Sequence, residues 1–552
     1  MLHIWVGRAG SGKSRRVLEA MEKNRRLRRQ VLLLPEHISH EAEVDLCRAL
    51  GPTASRDAEV LSFRSLASRV LAETGGLAEF TLDNGGKLLT MRRVLQELAP
   101  ELRVFGRPSQ RASFLRQLTD LTEEFYAYEI GPQALYRQVE DLDGAMGGKL
   151  RDIALIYAAY DARLRSGDFD ARSRLQKLRE HLEGSGYLRG CDVYLDGFSY
   201  FNRQEESILE LVLRQAESVT VTLLGDRSSD RLFQNALRQR MRLERMARRA
   251  GQEMDVLWCE SRGQGPLGHL EAHFFGQEVP YGGEPEGLEL YQAATAFTEV
   301  EWVSQQLRQL AAEGYRWRDM GVCARNMEVY GPLLESVFRR DGIPAYISRR
   351  SDLLEKPPIT MLLGALDAVT GGFDREDVFR CLKTGLGGIT PDECDILENY
   401  VILWDIRGSS MWLREGDWTA SPDGYGREPT ERSAARLERV NGIRRRVRLL
   451  LEPLYRGMRT AGAARQKAEC LYGFLQEAGV PQTLEDTAKK LLEEDRPQLA
   501  EEYVQLWAIF CGVLDQFAEI LGDTGLSGEE FARLLRLVLT QYSCLLYTSP
   551  SP

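Results

Sequence analysis

Cysteine pairs, long apolar runs and an excess of basic charge are all missing from this sequence. The nine cysteines, at positions 47, 191, 259, 323, 381, 394, 470, 511 and 544, are scattered, and none forms a C-x-x-C pair. That spacing argues against a metal or cluster site built from these residues and for reduced thiols. No uninterrupted apolar stretch reaches the ~18 residues of a membrane span, so no membrane partner is expected. The chain opens on a strand and a glycine loop, which leaves no room for a signal peptide ahead of them. A cytoplasmic location is the expectation. The formal net charge is −10. That excludes a uniformly basic coat for nucleic acid but not a local basic channel.

What is present begins at the first residue. Leu2 to Val6 is a short apolar run with the content of a buried strand. It leads into Gly7-Arg8-Ala9-Gly10-Ser11-Gly12-Lys13-Ser14, which fits the phosphate-loop pattern G-x-x-x-x-G-K-[ST]. A helical stretch follows, so strand, loop and helix stand in the order the motif needs. Gly10 and Gly12 can adopt positive φ and turn backbone N–H groups inward, and the helix start favours an anion. All eight residues are candidates for binding ATP. Lys13 would reach the β/γ-phosphates, and the Ser14 hydroxyl would ligate Mg²⁺.

Strands and short helices then alternate, which predicts a parallel α/β sheet. Val31 to Glu36 is a strand stopped by Pro35. Glu59 to Phe63 is another, with Ser62 placed to cap a helix over 63–73. From 84 to 185 apolar residues recur at helical spacing and strand signals vanish, so residues 1–83 and 186–284 read as one P-loop domain split by an all-helical insertion. Two apolar strands of the second part end on acids, Asp196 and Asp226. A strand-end Asp near a P-loop suits Mg²⁺ and its water shell. Residues 285–350 read as the first part of a second α/β domain, with strands at Leu288–Tyr291, Met320–Ala324 and Ile343–Ile347. Arg325, at a strand's carboxyl end there, is a further nucleotide-binding candidate. Residues 351–540 read as a second helical insertion, and 541–552 as a tail that does not continue the pattern.

Arginine clusters at 25–29, 238–249 and 444–448. Each is either a solvated helix face balanced by acids or part of a nucleic-acid channel. Trp258, Trp302 and Trp317 are stacking candidates for bases, although tryptophans at such positions more often belong to a core.

The order of these features resembles superfamily 1 helicase-like proteins, and more closely the AddB-type components of bacterial AddAB helicase–nucleases. The residues that carry the likeness are Leu32-Leu-Leu-Pro-Glu-His-Ile-Ser-His-Glu-Ala-Glu43, Tyr194-Leu-Asp-Gly-Phe198 followed by Gln204-Glu205, and Ala324-Arg-Asn326 with Gly342-Ile-Pro344. The resemblance covers roughly residues 1–540. It implies a RecA-like fold and a heterodimer with an AddA-type motor subunit. It also implies action on double- and single-stranded DNA in double-strand break repair by homologous recombination. In the family, the AddB-type component carries Chi recognition and a C-terminal nuclease with an iron–sulfur cluster. That cluster is expected only in a full-length member, because this chain is about half the family's length. The resemblance marks Asp196 as the Walker B acid, holding Mg²⁺ through water.

One departure bears on mechanism. Active helicases of the superfamily place Glu after that Asp, and here the position is Gly197. A positioned general base contributes roughly 10²–10⁴-fold, so nucleotide binding with weak or no hydrolysis is predicted. No catalytic residue is assigned. Glu205 and Glu206 are the substitutes to be weighed. Two competing readings are a self-sufficient P-loop ATPase or kinase, and a non-enzymatic scaffold with a vestigial loop.

Overall fold

The structure is a computed structural model. It describes residues 1–544 apart from 52–53, 76–81, 107–110, 140–141, 143, 167–173, 228–230, 261–262, 276–278, 348–350, 427–429 and 495. Most of the expected tail, from 545 on, therefore lies outside the described residues.

Six strands form the first domain: β1 (Leu2–Gly7), β2 (Gln30–Leu33), β3 (Ala58–Leu61), β4 (Asp192–Leu195), β5 (Ser218–Leu224) and β6 (Met254–Cys259). Their order is β3-β2-β4-β5-β1-β6, and every pairing is parallel. Parallel sheets need both faces covered. Leu2, Ile4 and Val6 of β1 are buried on one face with Ile208, Val212 and Leu243. Trp5 turns to the other face, against the group that holds Val17 and Met21 of α1 (Lys13–Lys23). The mixed α/β fold expected from the alternation is present. Ser62 caps helix Phe63–Thr74 by accepting the Ser65 N–H at 3.1 Å. The sequence reading missed β6, an edge strand whose alternate residues are exposed although five of its six residues are apolar, so no period-two pattern marks it.

The insertion between β3 and β4 is helical in its described residues from Asn84–Leu98 to Arg174–Leu182. The second insertion runs from helix Pro357–Thr370 to helix Gly528–Leu539. These two stretches share one apolar core: Leu88, Leu95 and Ile156 belong to the same cluster as Leu362, Phe379 and Phe531. Polar ties cross the same seam. Arg93 Nη1 donates to the Ile520 carbonyl at 2.7 Å, and Gln516 Nε2 donates to Asp83 Oδ2 at 2.8 Å. The stretch Leu499–Leu521 has the length and apolar content to cross a membrane, but charged residues interrupt it. Its Leu506, Phe510, Val513 and Phe517 are buried in the shared core.

The unit between them corrects the element reading. Helices Ala296–Ala312 and Met327–Asp341 form as expected, the first capped by Thr295. The strands expected at Leu288–Tyr291, Met320–Ala324 and Ile343–Ile347 carry no ladder among the described residues. Extended backbone becomes a strand only when a neighbour supplies the complementary N–H and C=O groups. Met320, Val322, Ile343 and Tyr346 instead line a cavity of ≈ 670 Å³.

Candidate nucleotide site

The glycine loop closes β1 and opens α1. Gly12, the residue before the helix, sits at φ 79°, and Gly10 at φ 74°. The left-handed conformation at Gly12 is one a side chain would resist, and it starts the helix with no side-chain cap. The first-turn N–H groups are thus left for an anion to satisfy. They open on a cavity of ≈ 420 Å³ lined by Ala9, Gly10, Gly12, Lys13 and Ser14 from the loop. Its far side is formed by Asp196, Gly197 and Phe198 at the end of β4, with Thr222 and Leu224 of β5.

The sheet order explains this meeting. β5 lies between β1 and β4, so its side chains bridge the loop and the acid. Thr222 Oγ1 donates to Asp196 Oδ1 and fixes the carboxylate. Asp196 also donates its backbone N–H to the Leu33 carbonyl at 3.1 Å. Motif reading does not find Thr222, because its role depends on which strand neighbours which.

Lys13 folds back on its own loop. Its Nζ donates to the carbonyls of Gly7 and Arg8, both at 2.7 Å. Burial lowers the ammonium's pKa, and the nearby charge of Asp196 opposes that shift. The side chain still lines the cavity.

Not all eight loop residues line the cavity. Ser11 is buried beneath it at 1% exposure. A Cβ at Gly7 would run into Ser11 Oγ and stand 2.8 Å from the Cys259 carbonyl oxygen. The Arg8 side chain is tied to Asp226, with Nη2 to Oδ2 at 2.6 Å, and to Glu271 at 3.3 Å. Asp226, the second strand-end acid, is thus a tether for the loop. Arg325 is exposed in the second unit, beside the Asn326 cap of helix Met327–Asp341, and is not among the residues lining the cavity.

Among the described residues, no carboxylate replaces the missing Glu. Gly197 has φ 77°, and a Cβ there would stand 2.6 Å from Ile38 Cδ1. Glu205 is engaged in a capping box. Its Oε2 accepts the Asn202 N–H at 2.9 Å, and its own N–H donates to Asn202 Oδ1 at 2.9 Å. Burial raises its pKa, with the Asn202 N–H opposing. The spacing Asn202-x-x-Glu205 is a capping signal that could have been read from the sequence. Glu206 is buried and paired with Arg242 at 2.8 Å and Arg203 at 3.3 Å.

The three tryptophans are each packed. Trp258 lies beside Arg240 and Arg227, Trp302 stacks on Tyr291 at 4.4 Å, and Trp317 lines the cavity of the second unit.

A phosphate-type loop between β1 and α1, facing a strand-end acid across a parallel sheet, defines a RecA-like P-loop protein with helical insertions. The family model described as "ADDB, N-terminal" matches residues 4–271. The chain is 34% identical to the B component of the ATP-dependent helicase/deoxyribonuclease of Desulforudis audaxviator, over 97% of this chain and 48% of that protein. It is also 34% identical to the corresponding protein of Pelotomaculum thermopropionicum (96% and 48%) and 31% identical to that of Acetivibrio thermocellus (97% and 48%). The resemblance to AddB-type proteins is therefore shown, and it runs through both insertions. The chain spans about half the length of these relatives.

Proposed function

We propose that this chain is the nucleotide-binding, AddB-type component of an ATP-dependent helicase/deoxyribonuclease. It works with an AddA-type motor subunit in the cytoplasm, on double- and single-stranded DNA, in repair of double-strand breaks by homologous recombination. The observation that carries the reading is the single cavity joining uncapped loop amides, Lys13, Ser14 and Asp196. These residues fit a magnesium–triphosphate. The amides of the loop and first turn cradle its phosphates, Lys13 moves from its carbonyl partners to the β/γ oxygens, and Ser14 and Asp196 hold Mg²⁺, the acid through water. ATP would supply binding energy that orders the loop. With Gly197 beside the acid and Glu205 and Glu206 engaged elsewhere, no described side chain orients the attacking water, so hydrolysis by this chain alone is weak. Arg325 joins the site only if the second unit closes toward it. Nuclease activity is assigned to parts of such a protein that these residues do not cover.

ATP with Mg²⁺ at about 100 times its Kd should stabilise the protein by roughly 2.7 kcal/mol, and Lys13→Ala should remove that gain in thermal melts. Equal stabilisation of both proteins would reject the site. Brisk, Lys13-dependent turnover without a partner would reject the weak-hydrolysis reading. The lysine's attachment to its own loop favours one second reading, a vestigial loop, which predicts no gain for either protein.

A further inference from the structure

Arg8 faces two ways. Its carbonyl, inside the glycine loop, accepts the Lys13 ammonium at 2.7 Å and the Ser11 N–H at 3.3 Å. Its side chain leaves the loop and meets three later segments of the chain. Nε and Nη2 both donate to Asp226 Oδ2, at 2.8 and 2.6 Å, just past the end of β5. Nη1 donates to the Glu271 carbonyl at 2.9 Å and lies 3.3 Å from the Glu271 carboxylate, on helix Gly265–His273. The guanidinium carbon stands 5.5 Å from the centre of the Phe233 ring, at the start of helix Gln234–Arg249, within range of a cation–π contact. The side chain is only 18% exposed, so salt screens these bonds less than it would a surface pair.

Helix Gly265–His273 is weakly rooted apart from this clamp. It has nine residues, and none of them is buried. Helices this short are marginal in water, and most helix stability in proteins comes from burying an apolar face. Here Leu267 and Leu270 are exposed, as are Phe274 and Phe275 just past the helix end. With no core beneath it, the helix depends on polar ties, and the Arg8 guanidinium supplies ties that reach the phosphate loop. In the chain, the helix stands between the sheet domain and helix Ala296–Ala312 of the second unit. A change in the loop that Arg8 transmits therefore arrives at the segment that leads to that unit.

We propose that Arg8 is a positioning residue that couples occupancy of the nucleotide site to the docking of helix Gly265–His273. The docked helix holds the loop ready for phosphates, and a bound magnesium–triphosphate in turn holds the helix. The proposal rests on the nucleotide reading above and adds how the site's occupancy is passed on. Its sign follows from entropy. A docked helix restrains Arg8, and with it the loop, before any ligand arrives, so less ordering remains to oppose phosphate binding. By linkage, the nucleotide must favour the docked helix by the same factor.

The test is amide hydrogen exchange over residues 265–273 of the full chain, with and without ATP–Mg²⁺, beside a titration with fluorescent ATP. In wild type, nucleotide should slow exchange there by roughly fivefold or more. Arg8→Ala should weaken ATP binding by roughly 5- to 150-fold and leave exchange in 265–273 fast with or without nucleotide. Arg8→Lys keeps the charge but replaces the planar fork with a point charge, and it should recover part of both effects. Glu271→Lys alters a side chain outside the nucleotide cavity and sets a second cation beside Arg8. It should also weaken ATP binding and speed exchange in 265–273. A clamp with a purely structural role would lower the melting temperatures of these variants and leave ATP affinity unchanged, and that result would overturn the coupling. ATP that stabilises wild type without slowing exchange in 265–273, or that speeds it, would overturn the coupling while leaving the nucleotide site standing. If wild type neither binds ATP nor is stabilised by it, the nucleotide reading fails and the coupling falls with it.

Discussion

The parallel-sheet domain and the helical body are specified in different ways. In the sheet domain, a few neighbouring residues dictate the geometry. An apolar hexamer makes β1, the glycines turn the loop, and Ser62 starts a helix. In the helical body short motifs start individual helices, as the capping boxes at Thr390–Glu393 and Ser527–Glu530 do, but none sets how the helices pack. Helices from residues 84–166 and 353–539 are held together by one apolar core assembled across most of the chain. A site built by local geometry tolerates distant change. A core built from remote segments fails as a unit.

The largest expected effect tests that contrast. Phe531 is fully buried, with its ring 4.9 Å from that of Phe517. Phe531→Ala should cost about 3–5 kcal/mol. Amide exchange should then rise together in residues 84–166 and 353–539, with the 2–33 strands less affected. Loss of protection confined to 353–539 would divide the helical body into two independent insertions.

A smaller effect is expected at the site. Gly197→Glu puts a side chain at φ 77° and against Ile38. It should destabilise the protein by about 1–3 kcal/mol without creating turnover, as thermal melts and a phosphate-release assay would report. Fast hydrolysis in this variant would mean that only the missing carboxylate limits the site.

The smallest effect sharpens the capping argument. Burial raises the pKa of Glu205 in the fold, so the folded state holds that proton more tightly than the unfolded chain. The resulting stability is fully present below the unfolded pKa and is lost as pH rises through the folded one. Glu205→Gln keeps an acceptor for the Asn202 N–H and removes the titration. Its melting temperature should therefore gain on wild type as pH rises from about 4 through the carboxylate range. Parallel curves would show that this carboxylate does not contribute to the pH dependence.

Much of the candidate site's geometry was legible in the residues. Gly10, Gly12, Lys13 and Ser14 spell the phosphate-loop pattern, and Asp196 at a strand end lines the same cavity. The capping box at Asn202 and Glu205 was also there to be read, and it removes Glu205 from the candidates for a base. Other features were not legible. β6 alternates too weakly to stand out and is recognised by its pairing with β1. The segments 320–324 and 343–347 look like strands, but strand character needs a partner that the segment itself does not contain.

The amino-acid order alone determined the loop, the helix starts and the alternation that makes a parallel sheet, because each depends on backbone preferences over a few adjacent residues. Tertiary structure alone decided that β5 separates β1 from β4, that Thr222 grips Asp196, that Arg8 is tethered by Asp226, and that two distant helical stretches bury one core. These depend on which surfaces meet. That is settled by the burial of apolar faces and the pairing of polar groups far apart in the chain.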